Sequence, residues 1–237
     1  MKNKIILEIG KNHLGDERLL FKYLRKFNLP EVYGFTMQLR ENKFYNKVNQ
    51  KLKISNSTII KFKDECKSYN KKFGLSIQNI DNLETLNDVK PDFIKVLSYS
   101  TKNLKFCSKL RCSYKVPIYF SLGLIEKNQS SKFLNIFFKT ISLQNTNIIY
   151  TKIEKFMNDF SIAEVIKLSQ KYKNKISYGH HFDSNYFPII MKFMQINTFF
   201  LYIKDTKNIK YPDNQNAYNI KEFKDFVKLL YLVERVK

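Results

Sequence analysis

The chain has 237 residues, 43% hydrophobic and 15% aromatic, enough to bury a large core in one domain of the size that α/β barrels reach. No stretch approaches the roughly 18 uninterrupted apolar residues of a membrane span, and Lys2 is not followed by the apolar core of a signal peptide, so a soluble, cytoplasmic protein with no membrane partner is expected. The formal net charge of +21 is spread along the chain with no basic tail or helix; this predicts a solvated surface that attracts anionic metabolites and argues against specific nucleic-acid binding.

In chain order, β-branched and aromatic runs alternate with longer amphipathic stretches. Strands are expected over 4–9, 32–38, 73–77, 92–97, 116–121, 146–152, 175–178 and 198–203. Helical patterns cover 16–27, 57–72, 102–110, 131–141, 161–172 and 187–193, with a short one at 83–89 and a final one at 220–236. Eight strands, each followed by a helix and each nearly continuously apolar, predict a single (β/α)8 TIM barrel over residues 1–237. Cys66, Cys107 and Cys112 have neither the even count of a disulfide framework nor zinc-site spacing, and are read as helix-face residues of a reduced protein.

Barrels place function just after each strand. The expected positions are Glu8, Asn12 and His13 in the first loop, Gln38 in the second, Ser76 in the third, and Lys95 with Ser98 in the fourth. Ser121 follows the fifth strand, His180, His181 and Asp183 the seventh, and Lys204 and Asp205 the eighth. Two of the three histidines therefore fall at one strand end, where a metal or acid/base role is a natural use of imidazole. Lys95, between Ile94 and Val96, is awkward to solvate on a barrel strand, which favours a functional role.

The run ILEIGKNHLGD over residues 6–16 resembles the EIGxNHxGD motif that opens members of the sialic acid (N-acetylneuraminate) synthase family. FIKVLSYSTKN at 93–103 is similar to that family's FKIASGxxxN strand, and VPIYFSLGL at 116–124 to its PVILSTGMA strand. SYGHHF at 177–182 stands where the family has GYSDHT, and the stretch after Tyr211, Pro212 and Asp213 resembles its GPD segment and final helix. The resemblance covers nearly the whole chain in order.

It implies a barrel enzyme that condenses phosphoenolpyruvate with an N-acetylated amino sugar in carbohydrate biosynthesis, a transferase that forms a carbon–carbon bond. Carried over by position, Lys95, Ser98 and Ser121 hold phosphoenolpyruvate, with Asn12, His13, Gln38 and Ser76 as further substrate-binding candidates. Glu8 is the carboxylate at the reaction centre. His181 is one of two histidines for a divalent metal, manganese or magnesium, that polarises the sugar aldehyde.

Departures are equally legible. Where the family carries a second-strand lysine in VKFQ, this chain has Thr36, Met37 and Gln38; where it has IEKHF, this chain has Phe200, Leu201, Tyr202, Ile203 and Lys204, without the glutamate and the second metal histidine. The sixth-strand Thr-Ser-Asn-Tyr contacts become Thr151, Lys152, Ile153 and Glu154. The family's small C-terminal antifreeze-like domain is expected to be missing, and a partner chain could supply it. Counted two residues on from Ile203, Asp205 is a candidate replacement metal ligand beside His181. Three readings stay open: an active synthase, a catalytically degenerate barrel that binds a sugar or anionic metabolite or partners a true synthase, and a basic scaffold.

Overall fold

A computed structural model describes residues 3–126, 128–153, 158, 160–182, 186–206 and 209–236. Eight strands, β1 (Lys4–Gly10), β2 (Val32–Gln38), β3 (Lys72–Ile77), β4 (Phe93–Val96), β5 (Ile118–Ser121), β6 (Thr146–Tyr150), β7 (Ile176–Gly179) and β8 (Thr198–Tyr202), pair in parallel. Their order is sequential and β1 also pairs with β8, which closes the barrel. The helices around it are α1 (Glu17–Lys26), α2 (Asn56–Ser68), α3 (Leu83–Val89), α4 (Ser98–Thr101), α5 (Leu104–Ser113), α6 (Ser130–Thr140), α7 (Ile162–Lys171), α8 (Phe187–Phe193) and α9 (Ile220–Val236).

Local chemistry explains these boundaries. Asp16 caps α1 by accepting hydrogen bonds from the backbone of Arg18 (2.8 Å) and Leu19 (3.4 Å), an interaction typically worth about 1 kcal/mol. Glu17 then lies in the positive first turn and Arg25 and Lys26 in the negative last turn, while Leu20, Tyr23 and Leu24 form the buried stripe. Helix α2 ends at Ser68, earlier than its pattern suggests, because Asn70 turns the chain at φ +55°. The pattern over 102–110 becomes α5, which Asn103 caps through the backbone of Phe106, and the short α4 precedes it directly beyond β4. Cys66 and Cys107 are buried on α2 and α5, and Cys112 is exposed.

The strands divide their side chains by parity. Ile5, Leu7, Phe35, Phe120, Leu201 and Ile203 face outward into the large core under the helices. Ile6, Phe93, Tyr119, Ile149 and Phe200 form a separate cluster, the plug inside the barrel, with Tyr119 packed edge-on against Phe93 and Phe200 at 5.9 and 5.1 Å. Gly74 makes room for it: a Cβ there would lie 2.1 Å from the Phe93 ring. Two residues beyond the plug, the same inner face carries Glu8, Lys95, Ser121, Thr151 and Tyr202. That single step of strand period carries the barrel interior from apolar filling to the polar groups at its C-terminal end. Among the described residues, no helix is long and apolar enough to cross a membrane.

Candidate active site at the barrel mouth

A cavity of about 670 Å³ opens at the C-terminal ends of the strands, where Gln38, Lys95, Ser98, Ser121 and His181 all line its wall. Lys95 and Glu8 are both buried, and the Lys95 ammonium donates to Glu8 Oε1 across the lumen. The rings of Phe200 and Tyr202 flank the ammonium at 5.3 and 5.9 Å. Burial pushes the Glu8 carboxyl above its ordinary range, Lys95 pulls it back, and the neighbouring Asp213 pushes it up again. Its second oxygen is buried without a hydrogen-bond partner among the described residues.

On the other side of Lys95, the Ser98 and Ser121 hydroxyls lie 2.8 Å apart, and the Gly123 backbone N–H donates to Ser98 Oγ at 3.1 Å. Ser98 sits at the first turn of α4, directly beyond β4, so the strand end and the short helix together aim it inward. His181 follows Gly179 by two residues and reaches the cavity, its ring edge-on to Tyr202 at 5.4 Å. Burial, together with the Lys95 and His180 charges, depresses its pKa to about 3, so the imidazole is neutral at physiological pH. His180 points the other way, with Nδ1 3.1 Å from the Tyr178 hydroxyl, and Asn216 holds its carbonyl at 3.0 Å.

Several expected contacts turn out to hold the fold near the mouth. Asn12 donates to the Ile203 carbonyl at 2.8 Å and accepts from the Asp213 N–H at 3.1 Å, which ties the first loop to β8 and to the segment at 211–216. His13 is buried, accepts from the Gly15 N–H at 3.0 Å, and has its pKa lowered by burial to about 4. Ser76 is paired with Thr36 at 3.0 Å beneath the cavity. Lys204 donates to the Asn214 carbonyl at 2.7 Å, and Asp183 lies outside the described residues.

Asp205 requires a correction. Tyr202 faces inward and Ile203 outward, so counting two on from Ile203 puts Asp205 on the outer side, against α1. Its carboxylate accepts from Lys22 and Lys26, each at 2.6 Å. It is therefore not brought to His181. Among the described residues, no three His, Cys, Asp or Glu side chains converge as ligands of a metal ion, and the cation that does meet Glu8 is the Lys95 ammonium. Among the described residues, the donor set does not fit the divalent ion that the resemblance implies.

Four contributors went unassigned in the sequence. Asp213 reaches back over Gly10, whose φ of +56° and missing Cβ leave space for Tyr202 and the Asp213 carboxylate. Burial raises the Asp213 pKa against the pull of Lys11 and Lys95. Tyr202 is turned inward by the parity of β8, which the closed sheet fixes and the sequence pattern does not. Arg40 and Lys11, both on the cavity wall, sit in loops whose path no periodicity describes.

Residues 24–237 match the model of the NeuB family. Among solved structures, the chain is similar to an N-acetylneuraminic acid (sialic acid) synthetase from Leptospira borgpetersenii serovar Hardjo-bovis determined in complex with citrate, with TM-score 0.85 and 16% identity over 100% of this chain and 85% of that one. It is similar as well to the spore coat polysaccharide biosynthesis protein SpsE of Bacillus subtilis, with TM-score 0.79 and 17% identity over 98% and 68% of the two chains. A phospho-2-dehydro-3-deoxyheptonate aldolase (DAHP synthase) of Thermotoga maritima shares the fold at TM-score 0.78 and 11% identity, over 99% and 70%. No curated protein matches the chain. With a closed eight-stranded barrel, polar groups gathered at its mouth and a family match over nearly its full length, this chain belongs to the NeuB family.

Proposed function

We propose that this chain condenses phosphoenolpyruvate with an N-acetylated amino sugar to form a nonulosonic, sialic-type acid. The observation that supports it most is the convergence of Lys95, Ser98 and Ser121 on one cavity in a NeuB-family chain. An ammonium beside two hydroxyl donors suits a phosphate with an adjacent carboxylate, and rigid strand ends hold that geometry without reorganisation.

In this reaction C3 of phosphoenolpyruvate bonds to the aldehyde carbon of the open-chain sugar, and the aldehyde oxygen takes up a proton. Water then adds at C2, and the bond from C2 to the phosphate oxygen breaks, releasing inorganic phosphate and leaving the keto acid. Asp213, on the cavity wall and pushed toward the protonated form by burial, is the acid within the mouth that can supply the first proton, while Glu8 holds the Lys95 ammonium in place from below. His181 is neutral and can orient the incoming water by a hydrogen bond; a bound anion raises its basicity toward the useful range.

The test is phosphate release from phosphoenolpyruvate in the presence of a panel of N-acetylated amino sugars, beside the unfolding midpoint with phosphoenolpyruvate alone. Release that needs both substrates and disappears in Lys95→Ala is the expected result. No midpoint shift at millimolar phosphoenolpyruvate would sink the proposal. A shift without release from any sugar would favour the second reading, a barrel that binds an anionic metabolite or partners an active synthase. That reading is supported by Thr36, which stands where the resembling family has a lysine and is bonded to Ser76 instead.

A further inference from the structure

The charges of the mouth are not evenly distributed around it. Because the barrel closes β8 onto β1 and β1 onto β2, the loops after these three strands are neighbours on the rim, and among the described residues they bring three cations, Lys210, Lys11 and Arg40, to the cavity wall against the single carboxylate of Asp213. The hydroxyl pair, Ser98 and Ser121, lies after β4 and β5 on the opposite arc. Lys95 lies on the β4 side with that pair, its ammonium held by Glu8.

Arg40 is constrained on the cationic arc, and Lys11 stands with it over the same aromatic ring. The Arg40 guanidinium lies 4.4 Å from the centre of the Phe44 ring, and Lys11 Nζ stands over the same ring at 5.8 Å. Glu41 accepts from Arg40 Nε at 3.2 Å and Nη2 at 3.4 Å, which orients the guanidinium plane. The Arg40 backbone is held at both ends: its N–H donates to the Tyr45 hydroxyl at 3.2 Å, and its carbonyl accepts from Asn82 Nδ2 at 2.9 Å. With 21% of its side chain exposed, Arg40 is a constrained group on a cavity wall, unlike a freely solvated surface arginine. Glu41 takes two of its roughly five N–H donors, which leaves the rest of the fork for a ligand.

We propose that Arg40 and Lys11, braced on Phe44, form a second anion-holding arm of the mouth, opposite the serines, that binds a phosphate or carboxylate of a substrate. This deepens the condensation proposed above and rests on that reading for the identity of the ligands. It also gives the β2 exit a cation: Thr36 offers no charge there, and Arg40, two residues past Gln38, does.

The test is titration calorimetry of the full chain with inorganic phosphate, phosphoenolpyruvate and glucosamine 6-phosphate, for wild type, Arg40→Ala, Arg40→Lys and Phe44→Leu. Arg40→Ala should weaken at least one of these ligands by about tenfold or more, Arg40→Lys should recover only part of that loss, and Phe44→Leu should weaken the same ligand without changing any charge. Loss confined to phosphoenolpyruvate assigns the arm to the donor substrate, and loss confined to glucosamine 6-phosphate assigns it to a phosphorylated acceptor. If Arg40→Ala does not fold, Arg40→Gln reads the same effect.

Affinities within about twofold of wild type for all three ligands would overturn the arm, as would a wild-type protein that binds none of them. The two proposals fail separately. Arg40-dependent binding of phosphate or glucosamine 6-phosphate without any phosphoenolpyruvate binding keeps the arm and removes the condensation. Phosphoenolpyruvate binding that depends on Lys95 and ignores Arg40 does the reverse.

Discussion

Glu8 on β1 and Lys95 on β4, 87 residues apart in the chain, meet as a buried ion pair across the lumen of the barrel. The strands do not neighbour one another, so closure of the sheet alone brings the pair together. Removing one partner leaves a charge in a place that cannot solvate it. Lys95→Met is expected to cost about 3–5 kcal/mol of stability in urea unfolding, and the double change with Glu8→Leu to recover most of that. Equal instability of the single and double variants would show that the pair itself is not what the lumen depends on.

Asp205 should matter to the barrel wall and not to the mouth. Burial disfavours its charge, but hydrogen bonds from Lys22 and then Lys26 outweigh that and hold the carboxyl below its usual range. Asp205→Ala is therefore expected to lower the unfolding midpoint while leaving any shift produced by phosphoenolpyruvate unchanged, with or without manganese. A lost ligand response in this variant would return Asp205 to the site.

The two buried imidazoles make stability depend on pH in a defined direction. Burial lowers the pKa of His13 from 6.5 to about 4 and that of His181 to about 3, so between pH 6.5 and about 4 the unfolded chain binds protons that the folded chain refuses. Their contribution is complete above pH 6.5 and is lost as the pH falls. Glu8, with its folded pKa raised above 4.5, runs the opposite way and loses stability as the pH rises past that value. Comparing wild type with His13→Gln isolates one of these effects: relative to the variant, the wild type should lose about 3 kcal/mol between pH 6.5 and 4. A constant difference across that window would mean that His13 is not protected from protonation.

Gly74 is expected to accept no side chain. A Cβ 2.1 Å from the Phe93 ring overpacks the plug, and Gly74→Ala should destabilise by about 1–3 kcal/mol, relieved by Phe93→Leu in the same chain. Additive losses in the double variant would place the glycine's role elsewhere.

Asn12→Ala removes two hydrogen bonds that join the first loop to β8 and to Asp213. We expect a loss of about 1–3 kcal/mol, measured by urea unfolding, and weaker phosphoenolpyruvate binding, because the Asp213 backbone that lines the cavity is no longer held. Unchanged stability would mean that the loop is anchored without it.

Much of this was legible along the chain. Apolar runs of strand length alternating with helical stripes determined eight β/α units, and the residues just past each run marked Glu8, Gln38, Lys95, Ser98, Ser121 and His181 as candidates for one rim, because parallel strands in a barrel all end on the same face. What periodicity leaves undetermined is phase and partner. At β8 the pattern does not say whether Tyr202 or Ile203 points inward, and that one-residue choice sends Asp205 to the lysines of α1 instead of to His181. Nor does any local pattern announce that Lys95 is neutralised by Glu8, or that Arg40 and Lys11 share the Phe44 ring, since those contacts join segments whose separation in the chain carries no information about their distance in space. Local hydrogen bonding and burial set the elements of this protein; only the closure of its sheet, which fixes parity and brings distant strand ends within a few ångströms, decided which of its charges face the mouth and which hold the wall.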